Sequence, residues 1–119
     1  MINDHVEINI EAVEARGIKF SILKAKQEIA RAFLYIMSNE LHAEPFGLVE
    51  DVYVNQNYRS HGLGTKIVQL IIKEAKAQGC YKLIATSRKS RPKVHKLYEK
   101  LGFEEKGFEF RMDLSVSEV

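Results

Sequence analysis

The chain has 119 residues, of which 45% are hydrophobic, so it can form one compact core and is too short for two. Eighteen Lys and Arg residues stand against 16 Asp and Glu, a formal net charge of +2, which excludes a global field that attracts nucleic acid or an anionic membrane. The single cysteine, Cys80, excludes an internal disulfide and a cysteine-based metal site.

The N-terminal residues lack the basic and apolar regions of a secretion signal. No run approaches the roughly 20 apolar residues that a membrane span needs. We therefore expect one domain over residues 1–119, a reduced cytoplasmic setting, no bound metal, and no nucleic-acid or membrane partner.

The first half of the chain predicts four strands in succession. Residues 6–13 alternate apolar and polar side chains, residues 18–23 repeat the pattern after a short turn, and the two segments together predict a hairpin. Residues 28–37 are apolar at nearly every position, which is typical of a strand covered on both faces. A fourth strand is predicted over residues 46–54.

The second half alternates helices and strands. Apolar residues at helical spacing predict a helix over residues 67–79, and residues 81–86 return to a strand pattern. A second helix is predicted over residues 92–101, and the alternation in residues 107–114 predicts a last strand. The order β-β-β-β-α-β-α-β predicts an α+β (α/β) fold, a mixed and mainly antiparallel sheet with one βαβ crossover and flanking helices.

The crossover begins with two glycines in the segment "RSHGLGT", residues 59–65. A helix start exposes backbone N–H groups and the positive end of the helix dipole, and glycines let a bulky anion approach that backbone closely. The segment fits neither the dinucleotide fingerprint nor the P-loop. From the loop alone two interpretations stay open, a phosphate site and an ordinary turn in which the glycines only supply positive φ.

A second motif, "YEKLGF" at residues 98–103, follows one helix and one strand later. A strand ending in Val54, then "RSHGLG", and then "YEKLGF" in this order and spacing resemble the GCN5-related N-acetyltransferases, the GNAT family. The resemblance covers about half the chain. It implies a transferase that moves an acetyl group from acetyl-CoA to a primary amine acceptor, by direct attack in a ternary complex.

The resemblance also implies the donor-binding residues. Backbone amides of the glycine loop would hold the pyrophosphate of acetyl-CoA, and main-chain groups of Val52 and Val54 would bind its pantetheine as an added strand. The loop residues concerned are Arg59, Ser60, His61, Gly62, Leu63, Gly64 and Thr65.

Tyr98 and Glu50 are the predicted catalytic residues. The resemblance implies that Tyr98 is the general acid that protonates the departing thiolate. The usual pKa of a tyrosine, about 10, keeps it protonated at neutral pH. Simple alternation puts Glu50 on the apolar face of its strand with Val52 and Val54, where burial would raise its pKa and suit it as the base. A partly solvated Glu50 at a strand bulge, His95 and a water chain remain alternatives.

The basic stretch "SRKSRPKVHK", residues 87–96, has two interpretations. Its cations could meet CoA phosphates, or they could form a solvated helix start. Many family members carry an Asn where this chain has Arg91, so no Asn role is carried over.

In the family, two helices lie between the first and the second strand. Here only a few residues separate the first two predicted strands, so the sequence pattern leaves no room for those helices. Those helices form much of the acceptor pocket. An open pocket that takes a peptide or protein amine, a homodimer that completes the pocket, and a non-catalytic acyl-CoA-binding module are the three interpretations. Uncovered apolar faces and sheet edges favour the homodimer.

Overall fold

The computed structural model describes residues 5–87 and 90–115. Its strands are β1 (Arg16–Lys24), β2 (Gln27–Met37), β3 (Phe46–Val54) and β4 (Leu83–Ala85), and its helices are α1 (Leu63–Ala77) and α2 (Pro92–Lys100). The sheet order is β1-β2-β3-β4, with the first three strands antiparallel and β4 parallel to β3. The predicted mixed sheet with one βαβ crossover is thus confirmed.

The tight hairpin of the sheet joins β1 and β2, and the predicted pairing of residues 6–13 with residues 18–23 was wrong. Ala25 and Lys26 connect these strands and both have positive φ, as the central residues of a type I′ turn do. Residues 6–13 and 107–114 form no strand in the described ranges, although both alternate. Alternation creates a stripe of apolar side chains, but a strand also needs a neighbour to complete its hydrogen bonds.

The core lies between α1 and one face of the sheet. Amphipathic spacing gives α1 a buried stripe that packs against alternate residues of β2 and against Val49 of β3. Each fully buried Ile or Leu contributes about 2 kcal/mol to stability. The fully buried large side chains are Leu34, Val49, Ile67, Val68 and Ile71.

The opposite face of the sheet is left open. Phe33 and Tyr35 of β2 stack on that face, and Lys19 of β1 lies 5.9 Å from the centre of the Phe33 ring. No helix occurs in residues 5–15. None of the helices in the described ranges is long and apolar enough to cross a membrane.

Candidate functional site

A cleft opens where β3 and β4 part. The two strands pair only from Gly47 to Val49, because β4 ends at Ala85 while β3 continues to Val54. The space beyond has a volume of about 820 Å³. A cleft at the carboxyl ends of neighbouring parallel strands is a common place for ligand binding in such sheets.

The cleft brings together all the predicted site residues except His61, which is exposed beside it. They come from β3, from the loop before α1 and from α2. Segments far apart in the sequence therefore converge because the crossover places the start of α1 beside the free part of β3. The members are Glu50, Val52, Val54, Arg59, Ser60, Gly62, Leu63, Gly64, Thr65 and Tyr98.

The start of α1 is shaped to bind an anion. Gly62 caps the helix with a φ of 80°, Ser60 has a φ of 68°, and no side chain caps the helix. The amides of Leu63, Gly64 and Thr65 precede the first hydrogen bond of the helix, which Lys66 donates to the Gly62 carbonyl oxygen, and the first turn contains no acidic residue. The uncapped N–H groups and the helix dipole favour a negatively charged ligand at this position.

Gly64 lies in the wall of the cleft, where a side chain as small as Ala would fit. A Cβ atom at this position would lie 3.7 Å from the Leu97 side chain and 3.9 Å from that of Val54, which are ordinary contact distances. The protein's own packing therefore does not require glycine here. Close approach of a ligand to the helix backbone is a reason for its presence.

Arg59 holds the end of β3. Its Nε–H donates to the carbonyl oxygen of Val54 at 2.9 Å, and its guanidinium lies 5.7 Å from the ring centre of Tyr53. The Val54 carbonyl thus already has one donor. A second main-chain position, Val52, lies in the part of β3 that has lost β4 as a neighbour.

The predicted orientation and burial of Glu50 were wrong. The ladder between β2 and β3 shifts at Asp51, whose φ is 49°, so Glu50 lies opposite Phe33 on the open face. Val54 lies opposite Ala30 on the face that packs against α1. This bulge separates Glu50 from Val52 and Val54 and leaves it exposed. The alternative interpretation of Glu50, a solvated residue at a strand bulge, therefore fits the structure.

An ion pair on the open face accompanies the bulge. Arg31 donates to the Asp51 carboxylate at 2.9 Å and stacks on Tyr53 at 4.7 Å from the ring centre. The hydrogen bond to Asp51 is the main cause that raises the pKa of Arg31 above its usual value.

Tyr98 lies on α2 with its ring half-buried, packed against Phe103 with 5.2 Å between ring centres. Burial raises the pKa of the phenol above 10, and the nearby charge of Glu50 raises it further. The hydroxyl therefore stays protonated at neutral pH. Tyr98 thus packs against the hydrophobic core and also lines the cleft.

The cleft is also lined by residues outside the two motifs, among them Ser87, Arg91, Lys93 and Glu109. Arg91 and Lys93 belong to the basic stretch whose cations could meet CoA phosphates. Ser87 follows β4, and its buried hydroxyl oxygen has no hydrogen-bond partner in the described part of the chain. Arg91 and Lys93 bring positive charge from the start of α2, and Glu109 comes from the C-terminal segment. The signal for Ser87 was its position at the carboxyl end of a strand beside the crossover. Arg88 and Lys89 of the basic stretch lie outside the described residues.

Comparison with known proteins decides the family. The sequence model of the Acetyltransferase (GNAT) family matches residues 5–103. The chain belongs to this family. The predicted GNAT membership is confirmed.

Two curated relatives show which GNAT enzymes the chain is similar to. Glucosamine 6-phosphate N-acetyltransferase of Trypanosoma brucei brucei is 41% identical over 69 residues, which are 57% of this chain and 44% of that protein. A probable glucosamine 6-phosphate N-acetyltransferase 2 of Oryza sativa subsp. japonica is 43% identical over 61 residues, 51% of this chain and 35% of that protein. The chain thus matches less than half the length of either relative.

A solved structure supports the fold. The crystal structure of glucosamine-6-phosphate N-acetyltransferase from Arabidopsis thaliana superimposes with a TM-score of 0.75 at 26% sequence identity. The match covers 83% of this chain and 66% of that one. The GNAT fold therefore extends beyond the two sequence motifs.

Proposed function

We propose that this GNAT protein transfers an acetyl group from acetyl-CoA to a primary amine. The proposal rests on one observation. An uncapped helix start, the part of β3 that is not paired with β4, and the phenol of Tyr98 meet in the same cleft. A thioester donor with a pyrophosphate at one end and a reacting carbonyl at the other fits a site with an anion-binding end and a proton donor.

The donor would be held mainly by backbone. Amides from Ser60 to Thr65 supply N–H groups for the pyrophosphate, and Val52 and Val54 supply main-chain groups for the pantetheine. Arg91 and Lys93 add positive charge near the donor phosphates. The Ser87 hydroxyl, which has no hydrogen-bond partner in the described part of the chain, fits a ligand that lies against this wall.

Tyr98 and Glu50 carry the proposed chemistry. The acceptor nitrogen attacks the thioester carbonyl, so that a C–N bond forms and the C–S bond breaks. Glu50, directly or through water, takes the proton that the amine loses, and Tyr98 gives its phenolic proton to the departing sulfur. His95, half-buried one turn before Tyr98 on α2, is the alternative base.

The position of Cys80, the only cysteine in the sequence, is consistent with direct transfer of the acetyl group from donor to acceptor. Cys80 lies against a separate apolar cavity with Ile72 and Leu83, away from the cleft. Burial raises the pKa of the Cys80 thiol, so it is a poor nucleophile at neutral pH. A cysteine-linked acetyl intermediate therefore has no support.

Glucosamine 6-phosphate is the first acceptor that we propose to test. The support is the similarity to two enzymes named for that substrate. We also propose that the protein works in the cytoplasm as a homodimer, because its only thiol is unpaired in the chain and its sheet has one open face.

Calorimetric titration with acetyl-CoA tests the donor site. We expect binding by the parent and its loss in Gly62→Glu, which places a carboxylate against the proposed pyrophosphate. Gly79→Glu is the matched control, because Gly79 has a φ of 79° at the other end of α1 and, like Gly62, has no atom within 4 Å of an added Cβ. Equal loss in both variants would point to backbone strain rather than to an anion site.

An acceptor assay then separates the two functions. Release of free thiol from acetyl-CoA in the presence of glucosamine 6-phosphate supports the transferase. Donor binding without transfer to a broad panel of amines supports the non-catalytic module instead. No donor binding by the folded parent contradicts both.

A further inference from the structure

The open face of the sheet carries an apolar patch beside the cleft. Phe33 and Tyr35 of β2 stack there with 6.1 Å between their ring centres. Leu48 of β3 lies opposite Tyr35, and Ile84 of β4 lies opposite Leu48, so both share this face. Tyr35 and Ile84 are 38% and 37% exposed. We call these four side chains the open-face patch.

One acid joins the open-face patch to the cleft. Glu50 lies opposite Phe33 on the open face, and it also lines the cleft together with Tyr98. Opposed residues of antiparallel strands have Cβ atoms about 5 Å apart, so the Glu50 carboxylate and the Phe33 ring are neighbours. The phenol of Tyr98 is close enough for the charge of Glu50 to act on it. The proposed base and acid therefore lie at the edge of the patch.

The charges around the patch indicate which ligand it suits. Lys19 pairs with Glu28 at 2.7 Å. Arg31 pairs with Asp51 at 2.9 Å. Glu50 forms no hydrogen bond or ion pair with another described residue. A cationic ligand would thus meet a carboxylate that no described cation neutralises, whereas an anionic ligand on this face would have to displace an existing ion pair.

We propose that the open-face patch binds the body of the acceptor, and that the acceptor is a primary amine carried on an apolar, aromatic body. The ammonium group lies against Glu50, and the aromatic ring stacks on Phe33. This inference rests on the proposed acetyl transfer and names the substrate class of the same site.

The dimensions of the patch limit the spacer between the amine and the ring. Phe33 adjoins Glu50 directly, and Tyr35 lies two residues farther along β2, about 7 Å away. A short alkyl spacer therefore suffices to place an aromatic ring over Phe33 while the amine stays at Glu50. The probe 2-phenylethylamine has such a spacer. Glucosamine 6-phosphate, which the named relatives suggest, has no apolar ring to stack, so it is the contrasting acceptor.

Steady-state kinetics with matched amines test the substrate class. For the parent, we expect kcat/KM to be about tenfold higher with 2-phenylethylamine than with ethylamine, which lacks the ring. We also expect it to be higher than with glucosamine 6-phosphate.

Phe33→Ala and Tyr35→Ala test the patch itself. Each should raise KM for 2-phenylethylamine about three- to tenfold, while kcat, KM for ethylamine and acetyl-CoA affinity stay unchanged. A purely structural role of the rings would change all of these quantities together. Leu70→Ala is the matched control, because Leu70 is also 38% exposed but lies on α1, on the other side of the sheet. This variant should behave like the parent.

Calorimetry separates this inference from the proposed transfer. With CoA in excess, 2-phenylethylamine should bind the parent more tightly than ethylamine does, whether or not acetyl transfer follows. Such binding without transfer would retain the open-face patch and contradict the transferase. Transfer to amines without preference for the ring, no binding of 2-phenylethylamine, or the same KM in Phe33→Ala, Tyr35→Ala and Leu70→Ala would overturn the patch.

Discussion

The hydroxyl of Ser87 is buried in the wall of the cleft and has no hydrogen-bond partner among the described residues, and a buried unpaired polar group lowers stability. We expect Ser87→Ala to keep or slightly raise the free energy of unfolding while weakening acetyl-CoA binding about two- to tenfold, the effect of one neutral hydrogen bond. Chemical denaturation and calorimetry measure the two quantities.

Tyr81→Phe is the matched control for Ser87→Ala. The Tyr81 hydroxyl is also buried without a partner in the described chain, but it lies beside the Cys80 cavity rather than in the cleft. Its removal should affect stability in the same direction and leave donor binding unchanged. If both variants lose affinity equally, Ser87 has no ligand role.

Tyr98 is predicted to act on the chemical step rather than on binding. Tyr98→Phe keeps the ring that packs on Phe103 but removes the proton, so we expect kcat to fall about 10²- to 10⁴-fold with acetyl-CoA affinity unchanged. Steady-state kinetics together with calorimetry separate the two effects. Undiminished kcat in this variant would show that Tyr98 only packs in the core.

The same phenol predicts an alkaline loss of stability. Because the pKa of Tyr98 is raised in the folded state, the folded chain keeps this proton when the unfolded chain has lost it, above about pH 10. The contribution to stability is complete below pH 10 and is lost as the pH rises through the folded pKa. Denaturation from pH 9 upward should show this slope in the parent and in Tyr35→Phe, and a smaller slope in Tyr98→Phe.

At the scale of single elements, the start of α1 contains two glycines with different requirements. Gly64 lies in the helix with room for a methyl group, so Gly64→Ala should raise the free energy of unfolding by about 0.5–1 kcal/mol. Gly62 has a φ of 80°, so Gly62→Ala should lower it by about 1 kcal/mol despite the open space around it.

Thermal and chemical denaturation of the two single variants measure these changes. Effects of the same sign at Gly62 and Gly64 would contradict the assignment of backbone conformation at this helix start.

The sequence predicted those elements whose signals are local. Capping glycines and helical spacing located α1 and α2, and the two motifs located most of the cleft. The bulge at Asp51 could not be predicted, because a single residue of positive φ leaves no mark on the hydrophobic pattern, and it moved Glu50 to the other face. Ser87 belongs to no motif, and only the parting of β3 and β4 shows its position in the cleft.

At the scale of the whole molecule, residues 107–114 do alternate apolar and charged side chains, but this pattern alone did not determine whether they form a strand. A strand is defined by its neighbour, and the sequence of one chain does not state whether that neighbour belongs to the same copy. The exposed apolar stripe of residues 107–114 marks a surface for which the described chain supplies no covering neighbour.

Thermal stability should accordingly depend on protein concentration. If the proposed homodimer stabilises the folded state, mass action raises the Tm as concentration increases. We expect the Tm of the parent to rise steadily between about 1 and 100 µM. Differential scanning calorimetry over that range measures the change, and a Tm that is independent of concentration, combined with a monomeric mass, would contradict the homodimer.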